Sequence, residues 1–285
     1  MKLIREMIKR IMPDKWFLQI VYYRIFKRKL NLYKPEYYSE KLQWMKLYDR
    51  NPLYTYVVDK YSAKEYISNL IGEGYIIPTI GKWKNACEID FDSLPNQFVL
   101  KCTHDCGGIV IVKDKGSVDK RAIANKLNIR LKHNYYLKQR EWPYKNIPPQ
   151  IIAEKYIDES GELNLGILTD YKFYCFEGKI DCIMVCLERY KHAHPIFLFY
   201  DLHWNRLNYL KEEPNEKYSV SKPNNFDEMI NLVTRISSEF KCVRVDLYNV
   251  NGKIYFGELT FFNQGGFDTD ITEETDRYWG TLFSI

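Results

Sequence analysis

Apolar positions along this chain change period several times, and each change marks an element. Leu3, Ile4, Met7, Ile8 and Ile11 recur with a helical period up to Pro13, and "WFLQIVYYRIF" follows as an aromatic and aliphatic segment. "SEKLQWMKLYDR" predicts a helix with Ser39 as its N-cap, and "DKYSAKEYISNLIG" predicts another that stops at Gly72. "YIIPTIGKW" reads as a short extended segment around Pro78. "NQFVLKC" and "GGIVIVK" read as strands joined by the polar loop Thr103–Gly108. Ile123, Leu127, Leu131 and Tyr135 share an i, i+4 spacing and predict one long helix. "EWPYKNIPP" breaks the pattern before the strand "QIIAEKYI". Beyond it, "DYKFYCFEGKIDCIMVCLER" gives two strands around a turn at Glu177–Gly178, and "PIFLFYD" gives a third. Phe226, Met229, Ile230, Val233, Ile236 and Phe240 define one more helix. The last pair of strands, "VRVDLYNVNGKIYFGELTFF", flanks an Asn-Gly pair, a strong hairpin signal. Helices mixed with largely antiparallel strands in two blocks predict an α+β fold. The predicted divisions are an arm over residues 1–35, a first block over 36–150 and a second over 151–285.

Composition changes this picture in three places. No run reaches the roughly 18 apolar residues of a membrane span and no signal peptide is visible, so the expected location is the cytoplasm. The cysteines number seven, and Cys102/Cys106 and Cys182/Cys186 are spaced C-x3-C with His192 and His194 nearby. A zinc site shows tighter pairs, so these thiols read as reduced and structural. Charge is uneven: residues 1–30 hold nine Lys or Arg against Glu6 and Asp14, a net +7, while the whole chain carries +5. Such a basic, apolar start suits a helix lying on an anionic membrane surface, or an arm packed on the body with solvated lysines. The basic excess stays in the arm and no recognition motif accompanies it, which speaks against nucleic acid as a partner.

Three stretches carry candidate chemistry. In "FVLKCTHDCGGIVIVK", Lys101 ends one strand and Lys113 ends the next. The loop between them, with Thr103, His104, Gly107 and Gly108, can bring backbone amides to phosphate oxygens. In "IIAEKYID", the backbone around Glu154, Lys155 and Tyr156 can meet an adenine edge, and Asp158 or Glu154 the ribose hydroxyls. In the hairpin, Asp246 and Glu258 on adjacent strands can share a magnesium ion, and Arg244 lies on the face of Asp246. A two-residue turn at Asn251–Gly252 in a regular ladder would send the two carboxylates to opposite faces. The hairpin is therefore expected to have a three-residue loop, Val250–Gly252, with Arg244 opposite Glu258.

In that order, these stretches resemble the TupA-like ATP-grasp family of surface-polysaccharide biosynthesis over roughly residues 37–266. "EKLQWMKLYDRNPLYTYVVDKYSAKEYI", "FVLKCTHDCGG", "IIAEKYID", "DYKFYCFEGKI" and "VRVDLYNVNGKIYFGELTFF" carry the likeness. It implies an ATP-grasp fold of two subdomains with ATP between them. It further implies Lys101 and the Thr103–Gly108 loop on the phosphates, Glu154 and Tyr156 beside adenine, and Asp170 and Lys172 toward ribose, phosphates or substrate. Asp246 and Glu258 would hold Mg2+, and Arg244 the transferring phosphoryl group. Thr260 stands where ATP-grasp enzymes generally have asparagine as a further ligand, and Lys64 where relatives tend to have arginine. The implied reaction is an ADP-forming ligation of a hexuronic acid carboxylate on a glycan to an amino acid or other amine, with Lys60 and Lys64 near the anionic acceptor. Glycosyl transfer is the rival activity, and its acidic motif is matched only by "DTD" at Asp268–Asp270. A non-catalytic nucleotide-binding scaffold is the rival of another class.

Overall fold

A computed structural model describes residues 10–157, 169–187, 195–214 and 217–285. Two antiparallel sheets carry the fold. Strands β1 (Thr79–Trp83), β2 (Phe98–Cys102), β3 (Ile109–Val112) and β4 (Ile151–Lys155) form the first, in the order β1-β4-β2-β3. Strands β5 (Asp170–Phe176), β6 (Lys179–Leu187), β7 (Ile196–Tyr200), β8 (Arg206–Leu207), β9 (Cys242–Val250) and β10 (Lys253–Thr260) form the second, in the order β10-β9-β5-β6-β7-β8. β2 buries Phe98, Leu100 and Cys102 and leaves Val99 and Lys101 half-buried, so one face meets the core and the other faces a cleft. β5 is buried at all seven positions, as a strand covered on both faces must be.

The division of the chain differs from the expected one in two ways. β4 hydrogen-bonds to β1 and β2, so the first sheet ends after Lys155 rather than near residue 150. The helices Tyr38–Tyr48, Pro52–Val58 and Ser62–Ile71 pack into the core of the second sheet, although they precede the first. Leu42, Met45, Tyr54, Val57 and Ile67 join Phe173, Val245, Leu247 and the helix Phe226–Ser237 in one cluster. A smaller cluster holds the first sheet with the helix Lys120–Leu131.

Two local expectations also need correction. Ser39 is not an N-cap: the helix begins at Tyr38 with Tyr37 as its cap, and Glu40 reaches back to accept from the amides of Glu36 (3.0 Å) and Tyr37 (3.3 Å). Ser39 instead donates its amide and hydroxyl to Asp276, each at 2.7 Å. The long helix through Tyr135 stops at Leu131, and a separate short helix spans Tyr136–Gln139.

The helix Asp14–Phe26 buries Phe17, Leu18 and Tyr22 with Leu30 and Phe267, so this part of the arm packs on the body, while Leu3, Ile4, Met7 and Ile8 of the expected first helix lie outside the described residues. The helix Glu273–Thr281 lies on Tyr38–Tyr48 so closely that a Cβ on Gly280 would stand 2.0 Å from the Glu36 carbonyl oxygen. Among the described residues no helix is long and apolar enough to cross a membrane. All seven cysteines are free, the two C-x3-C pairs included, while His192 and His194 lie outside the described residues.

Candidate functional site

The hairpin β9–β10 brings its carboxylates together by a route other than the expected one. Val250 pairs with Lys253, leaving a two-residue turn in which Asn251 (φ 52°) and Gly252 (φ 80°) are both left-handed, the type I′ geometry. The three-residue loop is therefore overturned. Phe256 pairs with Leu247, but the next pair is Glu258 with Asp246, because Gly257 is an extra residue bulged out of the ladder. A Cβ at Gly257 would stand 3.0 Å from the Asp246 carbonyl oxygen, so a glycine suits the bulge. The shift puts Asp246 directly opposite Glu258 and Arg244 opposite Thr260 rather than Glu258.

Around this pair the charges interlock. Arg244 grips Asp246 with two bonds, Nε to Oδ1 at 2.7 Å and Nη2 to Oδ2 at 2.8 Å. Its Nη2 also lies 3.1 Å from the Thr260 hydroxyl and 3.4 Å from Glu258, and Nη1 donates to Asn263. Lys172, opposite Asp246 on β5, bridges Asp246 and Asp170, the latter at 2.5 Å. Burial works to raise the Asp246 carboxyl, but Arg244 and then Lys172 outweigh it and hold the group below its usual range. Three carboxylates thus face two cations. The Glu258 side chain is 39 % exposed and that of Asp246 only 2 %. Glu258 is the acid of this group that opens outward.

It opens into a cavity of about 520 Å3 between the two sheets, a volume typical of small-molecule sites. Val57, Val58, Ile77, Val99, Ile111 and Leu259 give it apolar walls, with Lys60, Lys64, Lys101, Lys113 and Lys155 as cations and Glu154, Asp170 and Glu258 as acids. Glu154, expected beside the adenine and the ribose hydroxyls, is already paired twice. Its two oxygens each meet a lysine at 2.5 Å, Lys64 from the helix Ser62–Ile71 and Lys101 from β2. Burial pushes the Glu154 carboxyl upward, but Lys101 and Lys64 prevail and hold it below its ordinary value; burial lowers Lys64 despite Glu154.

Among the remaining expected residues, Lys101, Lys113, Lys155, Tyr156 and Asp170 do line the cavity. Thr103 and His104 do not: both are buried at the root of the loop, with His104 Nε2 3.2 Å from the His133 carbonyl oxygen. Gly107 is exposed, and the Gly108 amide turns back to Asp105 at 3.3 Å. Asp105 is fixed by Arg130 at 2.6 Å, and Lys60 donates to its carbonyl. Arg244, Lys172, Asp246 and Thr260 stand behind the cavity wall rather than on it. Asp158 lies outside the described residues. The "DTD" acids are tied up by their own loop: Asp268 accepts from Asn263 at 2.7 Å and Gln264 at 3.0 Å, and Asp270 also accepts from Gln264. Among the described residues no cage of three or more His, Cys, Asp or Glu is found.

Sequence reasoning missed Gly257, Asn263 and Lys46. An isolated glycine within a strand pattern signals a bulge, which was the available clue for the first. Lys46 follows Leu42 by four residues on the apolar side of its helix, and it is buried. It donates to Gln43 Oε1 and the Gln139 carbonyl at 2.9 Å and to the Gly265 carbonyl, and burial lowers its pKa to about 7.

A family model described as TupA-like ATPgrasp matches residues 40–284. No curated protein matches the chain. Among solved structures it is similar to an L-amino acid ligase from Bacillus licheniformis, at 9 % identity over 90 % of this chain and 57 % of that one, TM-score 0.49. It is similar to the D-alanine–D-alanine ligase of Helicobacter pylori, at 15 % identity over 86 % and 69 %, TM-score 0.45. The Bacillus anthracis D-alanine–D-alanine ligase complexed with ATP gives 18 % identity over 72 % and 54 %, TM-score 0.40. The chain thus spans little more than half the length of the two Bacillus ligases.

Proposed function

Because the chain belongs to the TupA-like ATP-grasp family, we propose that it is an ATP- and Mg2+-dependent ligase joining a carboxylate to an amine with release of ADP and phosphate. In this reading the carboxylate is that of a hexuronic acid on a capsular or cell-wall glycan, and the amine is an amino acid or a related compound. The protein works in the cytoplasm with a peripheral seat on the membrane's inner face, which the +7 charge of residues 1–30 supports.

The observation that carries the reading is the cavity's polarity. Apolar walls suit a purine, the lysines on β2, after β3 and beside the helix Ser62–Ile71 suit a triphosphate, and Glu258 on the cavity wall would be the carboxylate that meets a metal shared with phosphate. The donor set suits Mg2+, which takes oxygen ligands and shares them with phosphates: Glu258 opens into the cavity, and its cross-strand neighbour Asp246, held behind the wall by Arg244 and Lys172, would join by giving up one of those bonds. Held by Glu258 and Asp246, the ion would neutralise charge on the transferring phosphoryl group.

The chain's own residues supply position and charge. Lys101 and Lys113 bind phosphate oxygens, and Lys60 and Lys64 draw the anionic acceptor toward them. Arg244 and Lys172 keep Asp246 ionised and aimed. A carboxylate oxygen of the acceptor attacks the γ-phosphorus and the bond to the ADP oxygen breaks. The amine then attacks the acyl carbon, loses a proton and expels phosphate.

Hydroxylamine in place of the amine tests this directly. With ATP and a uronic acid glycan the protein should yield a hydroxamate together with ADP, and Glu258→Gln should lower the rate on the order of a hundredfold with the fold intact. AMP as product would remove the γ-phosphoryl geometry. Sugar transfer from a nucleotide sugar with no ATP consumed would overturn the ligase reading in favour of a glycosyltransferase.

A further inference from the structure

The helix Asp14–Phe26 is apolar on two sides, and among the described residues only one of them has a partner. Phe17, Leu18 and Tyr22 are buried against the body. On the opposite side Trp16, Ile20 and Tyr23 are 62 %, 42 % and 57 % exposed. At 3.6 residues per turn these three fall within an arc of roughly 60°. Lys27 continues the stripe by one turn, and Lys15 and Arg24 border it, all exposed. The helix contains one acid, Asp14, which is turned inward to Tyr136 and to Arg140 at 3.1 Å. The outer face therefore holds aromatic and aliphatic side chains, cations and Gln19, and no carboxylate. In sequence it follows Lys2, Arg5, Lys9 and Arg10, opposed only by Glu6.

We propose that this face docks on an anionic phospholipid bilayer, with Trp16, Ile20 and Tyr23 entering the interface and Lys15, Arg24 and Lys27 meeting headgroup phosphates. Tryptophan and tyrosine favour the boundary between headgroups and acyl chains, where an apolar ring and a polar edge are both satisfied. The charge decides the occupant. A second copy laid on the same face would bring the two sets of cations together, whereas an anionic surface complements them. Three apolar side chains and a few cations make a reversible, salt-sensitive seat rather than a permanent anchor. The inference rests on the peripheral location in the proposed function and is independent of the ligase chemistry.

Co-sedimentation of the full chain with vesicles of phosphatidylcholine alone, and of phosphatidylcholine mixed with phosphatidylglycerol, tests it. The wild type should bind the anionic vesicles only, and high salt should release it. Trp16→Glu with Ile20→Glu should lower the bound fraction about tenfold or more at unchanged Tm and ATP turnover, because both side chains face outward. Lys15→Glu with Lys27→Glu should do the same. Undiminished binding in both double variants would overturn the assignment to this face, as would failure of the wild type to bind anionic vesicles. A wild-type dimer that Trp16→Glu with Ile20→Glu converts to a monomer would show a second copy as the occupant instead. Vesicle binding in a protein that consumes no ATP would count against the ligase reading alone.

Discussion

Glu154 spends both carboxylate oxygens on lysines that arrive from different parts of the chain, Lys64 on a helix and Lys101 on β2. Breaking a buried ion pair from one side leaves uncompensated charge, here two lysines facing each other, and costs about 3 kcal/mol or more. Glu154→Gln should lose about that much stability in urea unfolding at neutral pH. The sign of the pH dependence follows from the depressed carboxyl. A group held below its ordinary 4.5 stabilises the fold above that value, and the contribution disappears as pH falls through the folded value. The gap between wild type and Glu154→Gln should therefore close in acid; a gap that persisted there would separate the stability from the carboxylate's charge. ATP should narrow it at neutral pH, since phosphate oxygens would replace the missing counter-charge. The sequence showed each of these three residues as a candidate. Their mutual pairing was hidden, because Lys64 and Glu154 are ninety positions apart and belong to elements of no shared motif.

The β9–β10 hairpin shows what the strand pattern revealed and what it concealed. Its existence was legible from alternation and from Asn251–Gly252, but alternation with that turn sends Asp246 and Glu258 to opposite faces, so their shared face was supposed from their chemistry and assigned to a three-residue loop that the hairpin does not have. The mechanism of the shared face was not legible, because a bulge is a break in register and periodicity arguments assume none. Gly257→Ala separates the two contributions of this hairpin. Its Cβ would press on the Asp246 backbone at 3.0 Å and on the Tyr248 ring at 3.2 Å, displacing the acid opposite Glu258. We expect a loss on the order of 1–2 kcal/mol in stability and a larger proportional loss in ATP turnover. Gly252→Ala, strained only by its φ of 80° with nothing within 4 Å of a Cβ, should cost a similar amount of stability and leave turnover unchanged. Equal effects on turnover would mean that the bulge does not position the acid. The helices were legible by period, yet Ser39 and Tyr135 were misassigned. A serine at a helix start scores as a cap whether or not Asp276 claims its hydroxyl, and i, i+4 spacing runs on past a helix end when the next turn is also apolar.

The chain order and the packing order disagree. Residues 38–71 precede the first sheet but complete the core of the second, and the final helix returns to lie across them. No local pattern encodes that, which is why a boundary near residue 150 looked natural. Asp276 is the principal polar tie, accepting from the Ser39 amide and hydroxyl and from Arg28 at 2.7 Å. Asp276→Ala should cost about 2–3 kcal/mol and strand those donors. Hydrogen exchange should then quicken in the helix Tyr38–Tyr48 before any strand of either sheet, and uniform acceleration everywhere would argue against a local tie. The same contact bears on how the chain is made. Ser39 is synthesised 237 residues before Asp276, and at 5–20 residues per second that is roughly 10–50 s before the contact between them can form. Leu42, Met45, Tyr54 and Val57 stay exposed through most of synthesis, which makes this early segment the natural place for a chaperone to hold the nascent chain.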